Sequence, residues 1–432
     1  MRFDRFQASS VTDMKKYIGW IVFGTLFFYL LSVAMPFFLP VATVLAWLCP
    51  FLTRENLTGN ALAQALVLLL AGAGAILFSA SHGVFLGWGR IFSINVPLLA
   101  MFVAVSFLCL TNPVDKEDDL PKGNSAAVLT GVGLHLLGAI INLSALFIFG
   151  DRLRKKEALS REQMVILSRS FTAAAWWSPF FIATGVAFTY APGMQWKETL
   201  LPGVIMSGIG LCFSIGEVCL FSKKKFSGYP LKKESLAVPL FLAAMVIFIH
   251  LAWSKAPVLP LICLLAPAGT LLFMKNSPRI PAVRNFIDNS ISSVTGPFAL
   301  FLAAGVFSCG IKSLMLVFPS LFSLTSATLS PELFATFLGI MILAGIIGIH
   351  PVVTIAIASP LLLPLNPDHS QLGFLFLSSW AVSTCSSPLS GVGLVLVSRF
   401  AISPGAIIKS NLPYAIAMWA IATLTNNLFF PV

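Results

Sequence analysis

Apolar runs long enough to cross a bilayer follow one another along the whole chain, separated by short polar links. They fall at about 17–35, 36–52, 61–79, 91–111, 126–149, 164–190, 200–221, 236–253, 256–274, 296–317, 332–365, 371–397 and 405–428. The pattern predicts an all-α polytopic membrane protein, because a helix satisfies its own backbone inside lipid. Two of the runs are interrupted by proline, at Trp177-Ser178-Pro179 and within 383–391, where Thr384, Ser386, Ser387, Pro388, Ser390 and Gly391 lie. Proline removes a donor and clashes with the preceding turn, so both helices are expected to break inside the membrane. The runs at 126–149 and 332–365 are interrupted by glycines and polar residues, His135 to Asn142 in one and His350-Pro351 to Thr354 in the other. These are expected to enter and leave on one side, as re-entrant hairpins.

The interruptions recur at one spacing. Gly133-Leu134-His135 answers Gly348-Ile349-His350, Ser178-Pro179 answers Ser387-Pro388, Pro192-Gly193 answers Pro404-Gly405, and Leu201-Pro202 answers Leu412-Pro413. The four offsets lie between 209 and 215 residues in a chain of 432. Four landmarks in one order at one spacing indicate a tandem duplication. Residues 1–35 form an extra span, 36–221 the first repeat and 222–432 the second.

Charge sets the orientation. Basic residues gather in alternate links: Arg2, Arg5, Lys15 and Lys16; Arg152, Arg154, Lys155 and Lys156; Lys223, Lys224, Lys225, Lys232 and Lys233; Lys275, Arg279 and Arg284; and Arg399. By the positive-inside rule these are cytoplasmic, which places the N-terminus inside, the uncharged link 318–331 outside and the C-terminus outside. The expected count is eleven spans and two hairpins, the second repeat inverted relative to the first. Hairpin plus broken helix in each of two inverted halves is the layout of a carrier.

With 57% hydrophobic and 10% charged residues the chain is not a soluble globule. Its formal charge of +11 belongs to the links between spans, so no nucleic-acid partner is expected. The seven cysteines lie in or beside apolar runs without a Cys-x-x-Cys pair and read as packing residues. The first apolar run shows no signal-peptide cleavage pattern, and Asn56-Leu57-Thr58, which matches a glycosylation acceptor, falls on the expected cytoplasmic side. There is no P-loop, no dinucleotide fingerprint and no zinc spacing, so transport would draw on a gradient of sodium ions, protons or the solute itself.

The candidate chemistry sits at the interruptions. An unwound turn leaves backbone groups that a ligand can satisfy; half-helix N-termini suit an anion, and free carbonyls suit a cation. Candidate solute-binding residues are His135, Asn142, Ser178, Pro179, His350, Thr354, Ser386, Ser387 and Pro388. Candidate coupling-ion residues are Thr384, Ser390, Gly391 and His350, whose imidazole titrates near neutrality. His82 and His250 read as packing residues, Glu217 and Arg169 as charges near a basic link, and Lys312 as a deeper cation.

The layout from about residue 36 to the end resembles the ion transporter superfamily, and most closely the divalent-anion:sodium symporter family. The broken helices match in kind through Ser178-Pro179 and Ser386-Ser387-Pro388-Leu389-Ser390-Gly391. At the hairpin tips, Gly133-Leu134-His135 and Gly348-Ile349-His350 stand where that family carries Ser-Asn-Thr. The resemblance implies an elevator-type homodimeric carrier of a small anionic solute in a bacterial cytoplasmic (inner) membrane, with membrane lipid as its other partner. Two rival readings are a cation/proton antiporter on the same fold and an intramembrane lipid-handling enzyme. The first lacks the acidic residue in the membrane interior that such exchange usually needs, leaving His as the titrating candidate. The second would need a nucleophile and base at one depth, for which His350 with Ser386 could be imagined, but the matched repeat argues for transport.

Overall fold

The computed structural model describes residues 2–53, 59–111, 120–154, 158–222, 224–230, 257–274, 278–321 and 328–431, with a few positions between 241 and 249, and only the backbone of 2–14. Most of the expected span at 236–253, His250, the 56–58 acceptor motif and Val432 lie outside the described residues.

Among the described residues the regular structure is helical, apart from one antiparallel bridge between Lys122 and Ser227. The first part of the chain forms α1 (Arg2–Ala34), α2 (Leu39–Leu52), α3 (Gly59–Ser81), α4 (Trp88–Ser93), α5 (Val96–Ser106), α6 (Asn124–Ile141), α7 (Leu143–Arg154), α8 (Arg161–Thr172), α9 (Ile182–Tyr190) and α10 (Trp196–Phe221). The second forms α11 (Val258–Phe273), α12 (Arg279–Asn289), α13 (Phe298–Val317), α14 (Pro331–Ile346), α15 (Pro351–Leu362), α16 (His369–Ser386), α17 (Gly391–Leu394) and α18 (Pro404–Phe429).

Eight helical stretches among the described residues are long and apolar enough to span a membrane, the last three being Ile291–Val317, His369–Arg399 and Pro404–Phe429. Seven of them correspond to expected spans, and the eighth, Asn124–Ile141, is an arm of the first expected hairpin. Of the other four expected spans, 36–52 and 256–274 form shorter apolar helices, 164–190 is divided at its break, and most of 236–253 lies outside the described residues.

The chain divides into two compact units, and they are not the two repeats. One comprises Met1–Pro113 with Val246–Pro319, the other Val114–Met245 with Ser320–Val432, so each draws on both halves of the sequence. In the first unit α3 and α13 meet backbone to backbone. A Cβ on Gly72 would lie 2.6 Å from Phe307 Cα, and one on Gly310 would lie 2.6 Å from Gly72 O. Small residues at such a crossing let dispersion contacts accumulate where lipid offers no hydrophobic drive. Asn95 Nδ2 donates to Phe301 O in the same unit.

The second unit carries every interruption. Hairpin α6–α7 begins and ends at one end of the unit, because Lys122 and Leu153 line a single cleft with Ser160, where α8 starts. Asp151 at the end of α7 also pairs with Arg399 there. Hairpin α14–α15 begins and ends at the other end. Gln371 Nε2 donates to Leu329 O just before α14, while Asp368 just after the hairpin caps α16 through the N–H groups of Ser370 and Gln371. Gly193 N and Gln195 N, at the turn between α9 and α10, donate to His369 Nδ1 and Ser370 Oγ at this second end. The two hairpins therefore enter from opposite ends. Arms α7 and α15 have 12 residues each, about 18 Å, whereas α6 has 18 residues and is one of the eight stretches long enough to span.

Behind break one, α10 lies close. A Cβ on Gly203 would fall 2.2 Å from Trp176 O, whereas one on Gly208 of the same helix would meet nothing within 4 Å. Gly203→Ala is expected to destabilise the protein by about 1–3 kcal/mol through overpacking, and Gly208→Ala not to. Thermal melts of the two detergent-solubilised variants check this. The opposite ends predict a topology as well: a cysteine at Lys224 is expected to react with impermeant maleimide from the cytoplasmic side, and one at Lys197 from outside. Labelling of both from one side would contradict the fold's polarity.

Candidate functional site

Break one runs from Trp177 to Phe181, between a short 3₁₀ turn (Ala173–Trp176) and α9. Its open backbone is held by side chains from several elements. Asn142, at the turn of the first hairpin with φ of 49°, donates through Nδ2 to Phe180 O at 2.9 Å and accepts from Ile182 N at 3.3 Å. Thr184 Oγ1 donates to Ser178 O at 2.6 Å, Trp196 Nε1 to Trp177 O at 3.0 Å, and Ser207 Oγ to Ala173 O. Ser178 Oγ donates to Ala139 O and accepts from Phe180 N. One tip thus replaces much of what proline took from the helix.

Break two runs from Ser387 to Ser390, between α16 and α17. It is built mainly from its own serines. Ser390 Oγ reaches Thr384 O at 2.6 Å and Ser387 O at 2.9 Å and caps the next half-helix by accepting from Gly393 N at 3.0 Å. Ser387 Oγ accepts from Leu389 N at 3.3 Å. Asn411 Nδ2, from α18, donates to Cys385 O at 2.8 Å. The second hairpin's tip sits directly on this break. A Cβ on Gly348, whose φ is 106°, would lie 2.4 Å from Leu389 Cδ1, and one on Gly345 would lie 2.3 Å from Ser383 Cβ. Glycine serves both a left-handed backbone and a close approach here.

The two broken helices also touch each other. Trp176 Nε1 donates to Ser378 Oγ at 3.1 Å, and Ser359 Oγ of the second hairpin to Tyr190 O at 2.6 Å. Pro179 and Pro388 stand at corresponding places in the two breaks, with Ser178 and Ser387 just before them buried to 1% and 2% exposure. The hydroxyls of Ser170, Ser379 and Thr384 are buried near the breaks without a hydrogen-bond partner. Thr354 Oγ1 donates to Pro351 O, Ser386 Oγ lies 3.5 Å from Cys385 Sγ, and Gly391 opens α17 with no atom near its Cβ position.

The pairing of the two histidines needs correction. His135 is not at the hairpin tip; α6 continues past it to Ile141, and Asn142 makes the turn. The glycines around it do not unwind the helix. Gly138 instead admits the ring of Phe171, whose Cδ2 would lie 2.7 Å from a Cβ there. Both His135 nitrogens have protein partners: Nδ1 lies 3.1 Å from Ser170 O, and Nε2 accepts from Trp177 Nε1 at 3.0 Å. That arrangement makes His135 a strut behind break one. His350 is at its tip, extended at φ −63° and ψ 138°, and caps α15 by accepting from Val352 N at 3.2 Å. Its ring stands edge-on to Trp380 at 5.4 Å.

A buried charged group is joined to break two through Asn411. Arg169 is fully buried on α8, with Nη1 2.7 Å from Glu217 Oε2, Nε 2.8 Å from Asn411 Oδ1 and Nη2 2.6 Å from Ser410 O. Glu217 also accepts from Arg161 at 2.7 Å. The signal was present as an arginine inside the apolar run 164–190 and an asparagine inside 405–428. Their meeting across the fold, 242 positions apart in sequence, shows only in the tertiary structure.

By sequence, no family model matches the chain and no curated protein is similar to it. Among solved structures the chain is similar to the YdaH transporter of Alcanivorax borkumensis, whose crystal structure is described as revealing an unusual topology. The identity is 13%, over 87% of this chain and 86% of that one, with a TM-score of 0.41.

Proposed function

We propose that the chain is a secondary active carrier that moves a small anionic solute across a bacterial cytoplasmic membrane, coupled to sodium ions or protons. One observation carries the reading. Within one compact unit two hairpins enter from opposite ends, and each tip seats on the break of the helix that follows it. A packing kink needs no partner hairpin, and a duplicated kink needs no inversion. A carrier needs both, because the same site must open to each side in turn.

In this reading the unit that bears the breaks is the moving body of an elevator. The solute is held by the half-helix ends and hydroxyls at the breaks, chiefly Ser387, Pro388 and Thr384 with His350 of the adjoining tip. Break two is favoured as the solute's main contact because break one is tied to Asn142, Thr184 and Trp196. The coupling ion is assigned to the Thr384–Gly391 turn. A homodimer and the membrane orientation follow from the resemblance and the charge pattern.

Purified protein is expected to melt at higher temperature with one class of small carboxylate or oxyanion, and more so when sodium replaces potassium, since a ligand of the folded state alone raises stability. A flat response to all anions in both salts would count against the reading. In proteoliposomes loaded with the responding anion, Ser387→Ala is expected to lower uptake by roughly two- to tenfold, the equivalent of about 0.5–1.5 kcal/mol for one hydroxyl. Pro388→Ala is expected to abolish uptake by restoring the helix while leaving the melt intact. His350→Gln separates the coupling ions. With proton coupling through His350 it flattens the dependence of uptake on pH, whereas with sodium coupling it leaves the parent profile.

A further inference from the structure

The buried guanidinium of Arg169 ends one amide away from break two, and the order of contacts has a direction. Arg169 Nε–H donates to Asn411 Oδ1 at 2.8 Å, and Asn411 Nδ2–H donates to Cys385 O at 2.8 Å. Arg169, Asn411 and Cys385 are 0%, 0% and 1% exposed. An asparagine amide can turn over, exchanging its oxygen and nitrogen. Here it cannot do so cheaply, because the guanidinium only donates and must face the oxygen. The NH2 group is therefore forced towards the Cys385 carbonyl, in the last turn of α16, where a helix has no donor of its own to offer.

Arg169 itself is held on all sides. Glu217 and Ser410 O take two more of its N–H groups, and the ring of Tyr414 lies 4.7 Å and that of Phe213 5.7 Å from its central carbon. The cation also lies close to the C-terminal end of α16, where a helix presents partial negative charge. α8 belongs to the first half of the sequence, whereas α16 and α18 belong to the second.

We propose that Arg169 and Asn411 are positioning residues for break two. Arg169 fixes the sense of the Asn411 amide, and the amide holds the end of α16 closed at Cys385, so the first broken helix sets the state of the second. The two residues do not touch solute in this scheme. Calling break two a transport site rests on the carrier reading, but the latch does not, and its test needs no transport.

The native cysteines supply the readout. Cys385 is buried at the break, Cys263 and Cys309 are buried in the other compact unit, and Cys212 is exposed. The rate at which N-ethylmaleimide modifies each is followed by peptide mass spectrometry on the intact, detergent-solubilised chain. Asn411→Asp keeps an acceptor for Arg169 but turns a carboxylate oxygen towards the Cys385 carbonyl. It is expected to speed modification of Cys385 by roughly tenfold or more, given the weight of a buried bond to a polar group left unpaired, with Cys263 and Cys309 unchanged. Asn411→Ala, which adds no charge, is expected to act in the same direction and stands in should the aspartate variant not fold. Gly208→Ala, on α10 where an added Cβ meets nothing within 4 Å, is expected to leave Cys385 as slow as in the parent. Parent-like modification of Cys385 in a folded Asn411 variant would overturn the proposal. So would equal acceleration at Cys263 and Cys309, which would mark Asn411 as a general packing residue.

Discussion

A backbone amide or carbonyl in the membrane interior must find a partner, and this constraint shapes the second compact unit. Each proline-interrupted helix leaves a set of such groups open, at several kcal/mol apiece if they stay unpaired in hydrocarbon. At break one the partners come from elsewhere in the fold: Asn142 from a hairpin tip, Trp196 and Ser207 from α10, and Thr184 from the next half-helix. The hairpin cannot be moved without opening the helix it caps. Tip and break are therefore a single mechanical element, and the same holds where Gly345 and Gly348 press on Ser383 and Leu389.

The two breaks are not stabilised alike. Break one draws an amide, an indole and hydroxyls mostly from neighbouring elements, whereas break two draws mainly on hydroxyls within its own turn, with one amide from Asn411. Serine hydroxyls rotate and both donate and accept, so a turn built from them can change partners at small cost. A tip amide that bridges Phe180 and Ile182 has no such freedom. This difference makes break two the more adaptable of a duplicated pair and break one the more rigid frame.

Buried charge follows the same logic. Burying one guanidinium is costly unless acid and hydrogen-bond acceptors surround it, and Arg169 has a carboxylate, an amide oxygen and a carbonyl, with two aromatic rings beside it. Glu217 is shared with Arg161, which is about half exposed, so the cluster reaches from solvent to the fully buried Arg169. Three helices, α8, α10 and α18, are fastened together at one level by groups that no apolar pattern distinguishes from ordinary loop charges.

Much of the architecture was legible in the chain because its causes are local. Length and apolarity declare helices, and Ser178-Pro179 and Ser387-Pro388 mark where two of them fail, whereas Pro50, Pro202, Pro267, Pro360 and Pro413 lie inside continuous helices. In the second unit the links that begin and end the two hairpins gather at two separate ends. What the tertiary structure alone decided are the meetings between distant residues. A glycine before a histidine looks the same at 133–135 and 348–350, but only the second lies at a turn, because Gly138 is needed to admit Phe171 and Asn142 alone adopts the turning backbone. Arg169 and Asn411 stand 242 positions apart, and their contact decides whether a buried arginine is a loop charge or a structural centre. Hydrogen bonds and ion pairs depend on distances of a few ångströms across the fold. Periodicity and composition, which act along the chain, carry no record of those distances.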